Sequence, residues 1–346
     1  PTTTTTTTPP RSFTLAFTGD VLLHSRVNGV AAANAAGDDD RDWDYRPMLE
    51  PIRRLVQTAD RAICHLEVNL SADGTRLSSY PSFRAPGQVA FDLADLGYDS
   101  CTLASNHILD KGLDGVAETL GVLDAAGIHP IGAARSPAEA EGRRLFTVRD
   151  VMVAHLAYTY WFNGILLPKE APWTSNAIDE DRILADATRA RRDGAEYVVV
   201  SLHWGQQYQH QPDRQQRELG PRLLASPDID LIIGHHAHVV QPIEQINGKW
   251  LVFGLGNLLS NSSQAARRDE LLVSAIISEG PAGHFTTDLT VTPLHLDHAS
   301  LTVHPTNPAR RPATTGPDLA QALDASWNRV INVLTADRPT PDFDLG

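Results

Sequence analysis

Cysteine is nearly absent: Cys64 and Cys101 are the only two in 346 residues. They are either two free thiols in the core or one disulfide, and a disulfide would suit an oxidising compartment. Long apolar runs are missing too. None approaches the roughly 18 residues that a membrane-spanning helix needs, so no segment of this chain is expected to cross a bilayer. No basic run is longer than a pair such as Arg143-Arg144 or Arg191-Arg192, and 29 basic against 42 acidic residues give a net charge of −13. A nucleic-acid partner would need a basic face, so that class is excluded. There is no internal repeat. What remains is an ordinary soluble composition, 42% hydrophobic and 21% charged, on a chain long enough to bury a sizeable core.

The start, PTTTTTTTPPRS, cannot build a core and reads as a solvated linker over residues 1–12. Such tracts join an anchor or signal sequence to an exported domain, so an extracytoplasmic location is expected. From Phe13 onward, strand-like and helix-like segments alternate, which argues α/β. Residues 47–59, 89–97, 115–127, 179–194 and 213–226 have helical spacing. Residues 143–160 and 243–257 read as hairpins, the second around Asn247-Gly248. The main domain is expected over 13–300. Residues 301–346 are expected to form a peripheral helix and a loose tail.

Polar residues gather where strands end. AFTGD closes on Asp20, with His24 four positions later. AICHLE closes on His65 and Glu67, TLASNH on Asn106 and His107, VVVSLHWG on His203, and LIIGHHAH on His235, His236 and His238. Seven of the fourteen histidines fall in these five segments, so separate structural explanations for each become improbable together. In open α/β sheets, ligands bind beyond the carboxyl ends of strands. Imidazole, carboxylate and amide oxygen suit Mn, Zn or Fe better than Ca. The set is too large for one tetrahedral ion and matches two divalent ions about 3.5–4 Å apart, which would lower the pKa of a bridging water to supply hydroxide. Side chains alternate along a strand, so His65 and Glu67 should share a face that Cys64 avoids.

These blocks, with ASNHILDKGLDGVAETL, SLHWGQQYQHQP and VFGLGN, resemble the CapA family of poly-γ-glutamate capsule-synthesis proteins, within the calcineurin-like metallophosphatase superfamily. The resemblance covers about Phe13 to Ser260. It implies a four-layer αββα sandwich with two mixed sheets and a dinuclear metal-dependent hydrolase. The substrate would be an anionic small molecule, peptide or polymer, in capsule, poly-γ-glutamate or cell-surface polymer metabolism. By motif, it assigns Asp20, Glu67, Asn106, His203, His236 and His238 to metal, His107 to catalysis and Asp110 to orienting His107. His24, His65 and His235 are ligands or support ligands. His65 stands where many members have asparagine, and Gln206 and Gln207 where many have glutamate. Two other readings stay open: an enzyme that hydrolyses, transfers or epimerises a peptide or polyglutamate, and a non-catalytic polymer-assembly protein.

Trp204, next to a proposed ligand, is expected to shape the pocket, as is Asn257. Gly254 and Gly256 should allow close backbone approach near the site. Trp161, Phe162 and Trp173 are expected to pack loops. His284, His295, His298 and His304 are expected to be structural or exposed. Arg84, Lys111, Arg135 and Arg214 are candidates for an anion path.

Overall fold

The computed structural model describes residues 10–142, 144–280, 283–336 and 343–346. Most of the Thr/Pro tract lies outside the described residues, but its last two positions are folded. Arg11 bonds Glu279 at 2.9 Å and Glu196 at 2.6 Å, and Ser12 opens the first strand. The folded part therefore starts before the expected Phe13.

One sheet runs in the order Val303–Pro305, Phe285–Leu296, Asp269–Glu279, Ser12–Val21, Arg61–Leu66, Ser100–Thr102, His129–Ile131. From Ser12–Val21 to His129–Ile131 the neighbours are parallel, and on the other side they are antiparallel. The second sheet runs Ile243–Ile246, Lys249–Val252, Leu231–His235, Tyr197–His203, Val151–Thr159, Leu145–Val148, with both outer pairs antiparallel. Both expected hairpins form, and Asn247-Gly248 takes positive φ at both residues, as its turn requires.

The sheets face one another, and helices cover both outer faces. Along Ser12–Val21, Phe13, Leu15 and Phe17 meet Val153, Val199, Leu231 and Ile233 of the second sheet. Ala16 turns the other way, into the core of Val89, Leu93, Val116 and Leu120 from the helices Gln88–Leu96 and Gly112–Ala126, and Val21 joins it because the strand's register shifts after Phe17. This two-residue alternation builds two cores from one strand. The helices Glu180–Arg192 and Arg214–Leu224 place Ile183, Ala187, Leu219 and Leu223 on the far face of the second sheet. The αββα sandwich implied by the resemblance is the observed architecture. Truncating Phe17 to alanine between the sheets would cost about 3–5 kcal/mol.

The C-terminal segment is more integrated than a peripheral helix and tail. Val303–Pro305 is an edge strand, and Asp344–Leu345 pairs with Phe285–Leu296. The helix Pro317–Thr335 sends Val330 and Leu334 into the inter-sheet core. Asp269 anchors it, accepting from Ser326 Oγ at 2.7 Å and Arg329 Nε at 2.7 Å, while His295 Nδ1 lies 2.7 Å from the same carboxylate.

Cys64 and Cys101 are register partners on adjacent parallel strands, with Cα atoms 4.5 Å apart, and form a disulfide. The free-thiol alternative is therefore set aside. Both lie in the helix-side core, away from His65, as alternation requires. A bridge across a separation of 37 residues contributes about 2–4 kcal/mol. Alkylation of the denatured chain is expected to label neither cysteine before reduction and both after it. Labelling without reductant would refute the bridge.

Candidate metal centre

Four strands from both sheets end at one place. Ser12–Val21 delivers Asp20, Arg61–Leu66 delivers His65 with Glu67 just beyond, Tyr197–His203 delivers His203, and Leu231–His235 delivers His235. Asp20 is set by a close backbone approach. Its N–H donates to Gly256 O at 2.9 Å, and a Cβ on Gly19 would stand 2.2 Å from that oxygen. Only glycine fits there. Beyond His235 the chain turns sharply, and His236 and His238 both adopt positive φ, 85° and 54°. Such strain in non-glycine residues gathers at functional sites. Here it aims two successive imidazoles inward.

Glu67 lies at the centre, fully buried. Its Oε1 stands 3.5 Å from His203 Nε2 and 3.8 Å from His238 Nε2. On one side, His238 Nδ1 lies 3.1 Å from Asp20 Oδ2, and His235 Nδ1 lies 3.2 Å from Asp20 Oδ1. On the other, His203 Nε2 lies 2.9 Å from Asn106 Oδ1, and the His236 ring packs 4.6 Å from that of His203. His65 sits behind, with Nε2 3.0 Å from His203 Nδ1, Nδ1 2.8 Å from Thr102 Oγ1, and its ring stacked 4.1 Å from His235. Ligand-type atoms gather within 4.8 Å in three overlapping sets: Asp20, His65 and His235; His65, Glu67 and His203; Glu67, His236 and His238.

The electrostatics of this cluster call for a cation. Both Glu67 carboxylate oxygens are buried and accept no hydrogen bond among the described residues, and His236 Nδ1 has no partner either. A buried, unpartnered carboxylate costs several kcal/mol, which is why such groups pair or bind metal. Burial pushes Glu67 up to about 8. Burial works to lower His238, but Glu67 and Asp20 more than offset it and hold that imidazole up at about 9. Desolvation drives His65 and His203 well below the usual imidazole range and His236 down to about 3, keeping them neutral. Neutral imidazoles around a carboxylate are the donor set of a divalent ion of the Mn, Zn or Fe type.

A cleft opens beside this cluster. An outer part of about 510 Å³ is lined by Asn106, His107, Asp110, Trp161, Asn163 and Gln207. An inner part of about 120 Å³ shares His107 and Gln207 and reaches His238 and Asn257. His107 Nδ1 lies 2.8 Å from Asp110 Oδ2, and that carboxylate also accepts from Phe83 N at 2.7 Å. The pairing places the imidazole proton on Nδ1 and leaves Nε2 for the cleft. His24 lines the inner cavity against Phe83, its Nδ1 3.1 Å from Leu22 O, and belongs to none of the three ligand sets. Asn257 lines it too, with Oδ1 2.8 Å from His238 Nδ1.

Several expectations need correction. Trp204 does not line the pocket. His203 points into the site, so its neighbour points to the opposite face, where Trp204 is buried against Phe253 and donates to Phe253 O at 3.0 Å. Trp161, expected to pack a loop, is 53% exposed and lines the cleft, while Phe162 is buried in the core. Arg84, Arg135 and Arg214 are paired with Glu118, Glu139 and Glu218, and Lys111 is turned onto Ser82. None of the four lines the cleft. Residues not foreseen are Tyr160, whose ring packs 4.6 Å from His236, and Asn163, whose Nδ2 lies 3.2 Å from His107 Nδ1. Asn163-Gly164 was a visible turn signal. Glu270 had none. It is buried near Asp20 with no side-chain partner among the described residues, and burial together with the Asp20 charge pushes it well above the usual carboxylate range.

Two results are expected. In metal-free protein, the buried Glu67 and His238 pair holds at least one proton near neutral pH, so divalent binding should release protons and strengthen as pH rises from 6 to 9. Calorimetry in buffers of different ionisation enthalpy checks this, and affinity independent of pH would contradict it. Glu67→Gln should lose metal binding while its metal-free form melts no lower than metal-free wild type, because a neutral, near-isosteric amide replaces a buried carboxyl group that no protein donor satisfies. A metal-free variant less stable by about 2 kcal/mol or more would show that Glu67 is held by protein contacts instead.

Comparison with known proteins agrees with this geometry. Residues 14–262 match the family described as bacterial capsule synthesis protein PGA_cap. The PGA biosynthesis protein CapA of Bacillus subtilis is 31% identical over 210 residues, 60% of this chain and 53% of the relative, so the chain spans about half the length of that protein. The capsule biosynthesis protein CapA of Bacillus anthracis is 28% identical over 343 residues, 94% of this chain and 73% of the relative. A candidate 5′-nucleotidase from Staphylococcus aureus, solved with alpha-ketoglutarate, shares the fold at TM-score 0.50 and 15% identity, covering 92% of this chain and 58% of that one. The match over residues 14–262, which contains every residue of the histidine and carboxylate cluster, shows that the chain belongs to the bacterial capsule synthesis protein PGA_cap family.

Proposed function

We propose that this chain is a hydrolase that uses two divalent ions, with phosphoesterase-type chemistry, in cell-surface polymer metabolism. The observation that carries the reading is Glu67, a buried carboxylate without a hydrogen-bond donor, set between two groups of ligand atoms. Asp20 and His238 would hold one ion, and His203, His236 and Asn106 the other, with Glu67 shared. His65 and His235 support the set through their contacts to His203 and Asp20. Bound ions would supply Lewis acidity and a water of lowered pKa.

The chain's own contribution is orientation and proton delivery. Asp110 holds the Nδ1 proton of His107, and the ring as imidazolium, with a second proton on Nε2, would give that proton to a leaving oxygen. The buried disulfide and the Thr/Pro start support an extracytoplasmic setting. Among the described residues, no helix is long and apolar enough to cross a membrane.

A second reading, cleavage of a peptide or polyglutamate chain, draws on the outer cleft. It is open, and Tyr80 and Trp161 stand 76% and 53% exposed along it. A chromogenic phosphodiester, a phosphomonoester and γ-linked glutamate oligomers, assayed side by side, separate the readings. Turnover should vanish with chelator and return with Mn or Zn. His107→Gln should lower kcat by roughly 10²–10⁴-fold. Turnover that survives chelation, or a His107→Gln enzyme as fast as wild type, would refute the mechanism. No turnover of any substrate by metal-loaded protein would favour a non-catalytic role.

A further inference from the structure

The inner cavity carries a group that metal chemistry leaves unused. Arg267 is the only lysine or arginine, among the described residues, that lines either part of the cleft. It has no carboxylate partner there, and its Nε is buried without an acceptor. Its guanidinium lies 3.4 Å from the centroid of the Tyr208 ring, which holds the fork flat. Tyr208 is in turn fixed by its backbone N–H, which donates to Ala237 O at 2.7 Å, between His236 and His238. Asn257 ties the same segment to the metal cluster. Its Nδ2 donates to Arg267 O at 3.0 Å, while its Oδ1 faces His238 Nδ1.

A second observation points the same way. Ser260 lines this cavity, is 2% exposed, and its buried hydroxyl has no hydrogen-bond partner among the described residues. Arg267 and Ser260 therefore both line a cavity of about 120 Å³, and each carries a buried donor without a partner among the described residues. That is room for a few water-sized groups, each taking about 30 Å³. Unpaired buried donors are costly, and a planar guanidinium fork matches the oxygens of a carboxylate or phosphate.

We propose that Arg267 and Ser260 form an anion subsite that seats a carboxylate or phosphate group of the substrate beside the metal cluster. This rests on the metal-hydrolase reading for its place in the reaction, but the subsite is made of the chain's own side chains. It also adds a protein cation to the cleft of a chain whose net charge is −13.

The test is calorimetric titration of inorganic phosphate and, separately, glutarate into the full chain, metal-free and Mn-loaded, with metal content measured in parallel. Wild type should bind at least one probe. Arg267→Gln should weaken that binding about tenfold or more, as expected for loss of a charge-assisted pair. Arg267→Lys should recover part of the loss, and Ser260→Ala should weaken binding by a smaller factor. Preference for phosphate marks a phosphoryl substrate, and preference for glutarate marks a carboxylate chain. Circular dichroism and unchanged metal content show that the variants fold. Binding of neither probe by wild type, or Arg267→Gln binding within twofold of wild type, would overturn the subsite. Absence of metal from wild type would count against the hydrolase reading and leave the anion result standing on its own.

Discussion

A single buried carboxylate organises this molecule. Glu67 lies at the centre of the site without a hydrogen-bond donor among the described residues, and His203 and His238 approach it from opposite sets of ligand atoms. Such a group is unfavourable unless a cation is bound or a proton is held, and burial makes it hold the proton. The site is therefore poised between protonated and metal-bound states. His65, His203 and His236 are desolvated into neutrality, the form that binds metal, while Glu67 and Asp20 hold the His238 imidazole up.

The fold exists to bring that arrangement together. Two sheets pack through Phe13, Leu15, Phe17 and their partners, which fixes the ends of Ser12–Val21 and Leu231–His235 closely enough for Asp20 to meet His235. The Gly19–Gly256 approach then places Asp20, and the left-handed turn at His236 and His238 brings in the last imidazoles. The bridge between Cys64 and Cys101 pins the strand that carries His65 to its neighbour. The acidic surface is no obstacle to an anionic substrate, because bound divalent ions would reverse the local sign.

Much of this was legible in the amino-acid order. Strand ends are marked by apolar runs that stop at Asp, Glu, Asn or His, and alternation shows which neighbours share a face. That logic separates Cys64 from His65 and Glu67 correctly. Applied to Trp204, it would have removed that residue from the pocket, since His203 already faces the site. Long-range contacts were not legible. Nothing local shows that Arg267 stacks on Tyr208, that Glu270 lies buried near Asp20, or that residues 303–305 and 344–345 complete a sheet. Those depend on which distant segments the fold brings together, and no periodicity records that.

The central claim is that Glu67 is shared between two ions. The most direct measurement is an anomalous-difference map from crystals of the full chain grown with Mn. The account predicts two peaks about 3.5–4 Å apart, one on each side of the Glu67 carboxylate. No peak at Glu67, or a single peak held by Asp20 and His235 alone, would contradict it.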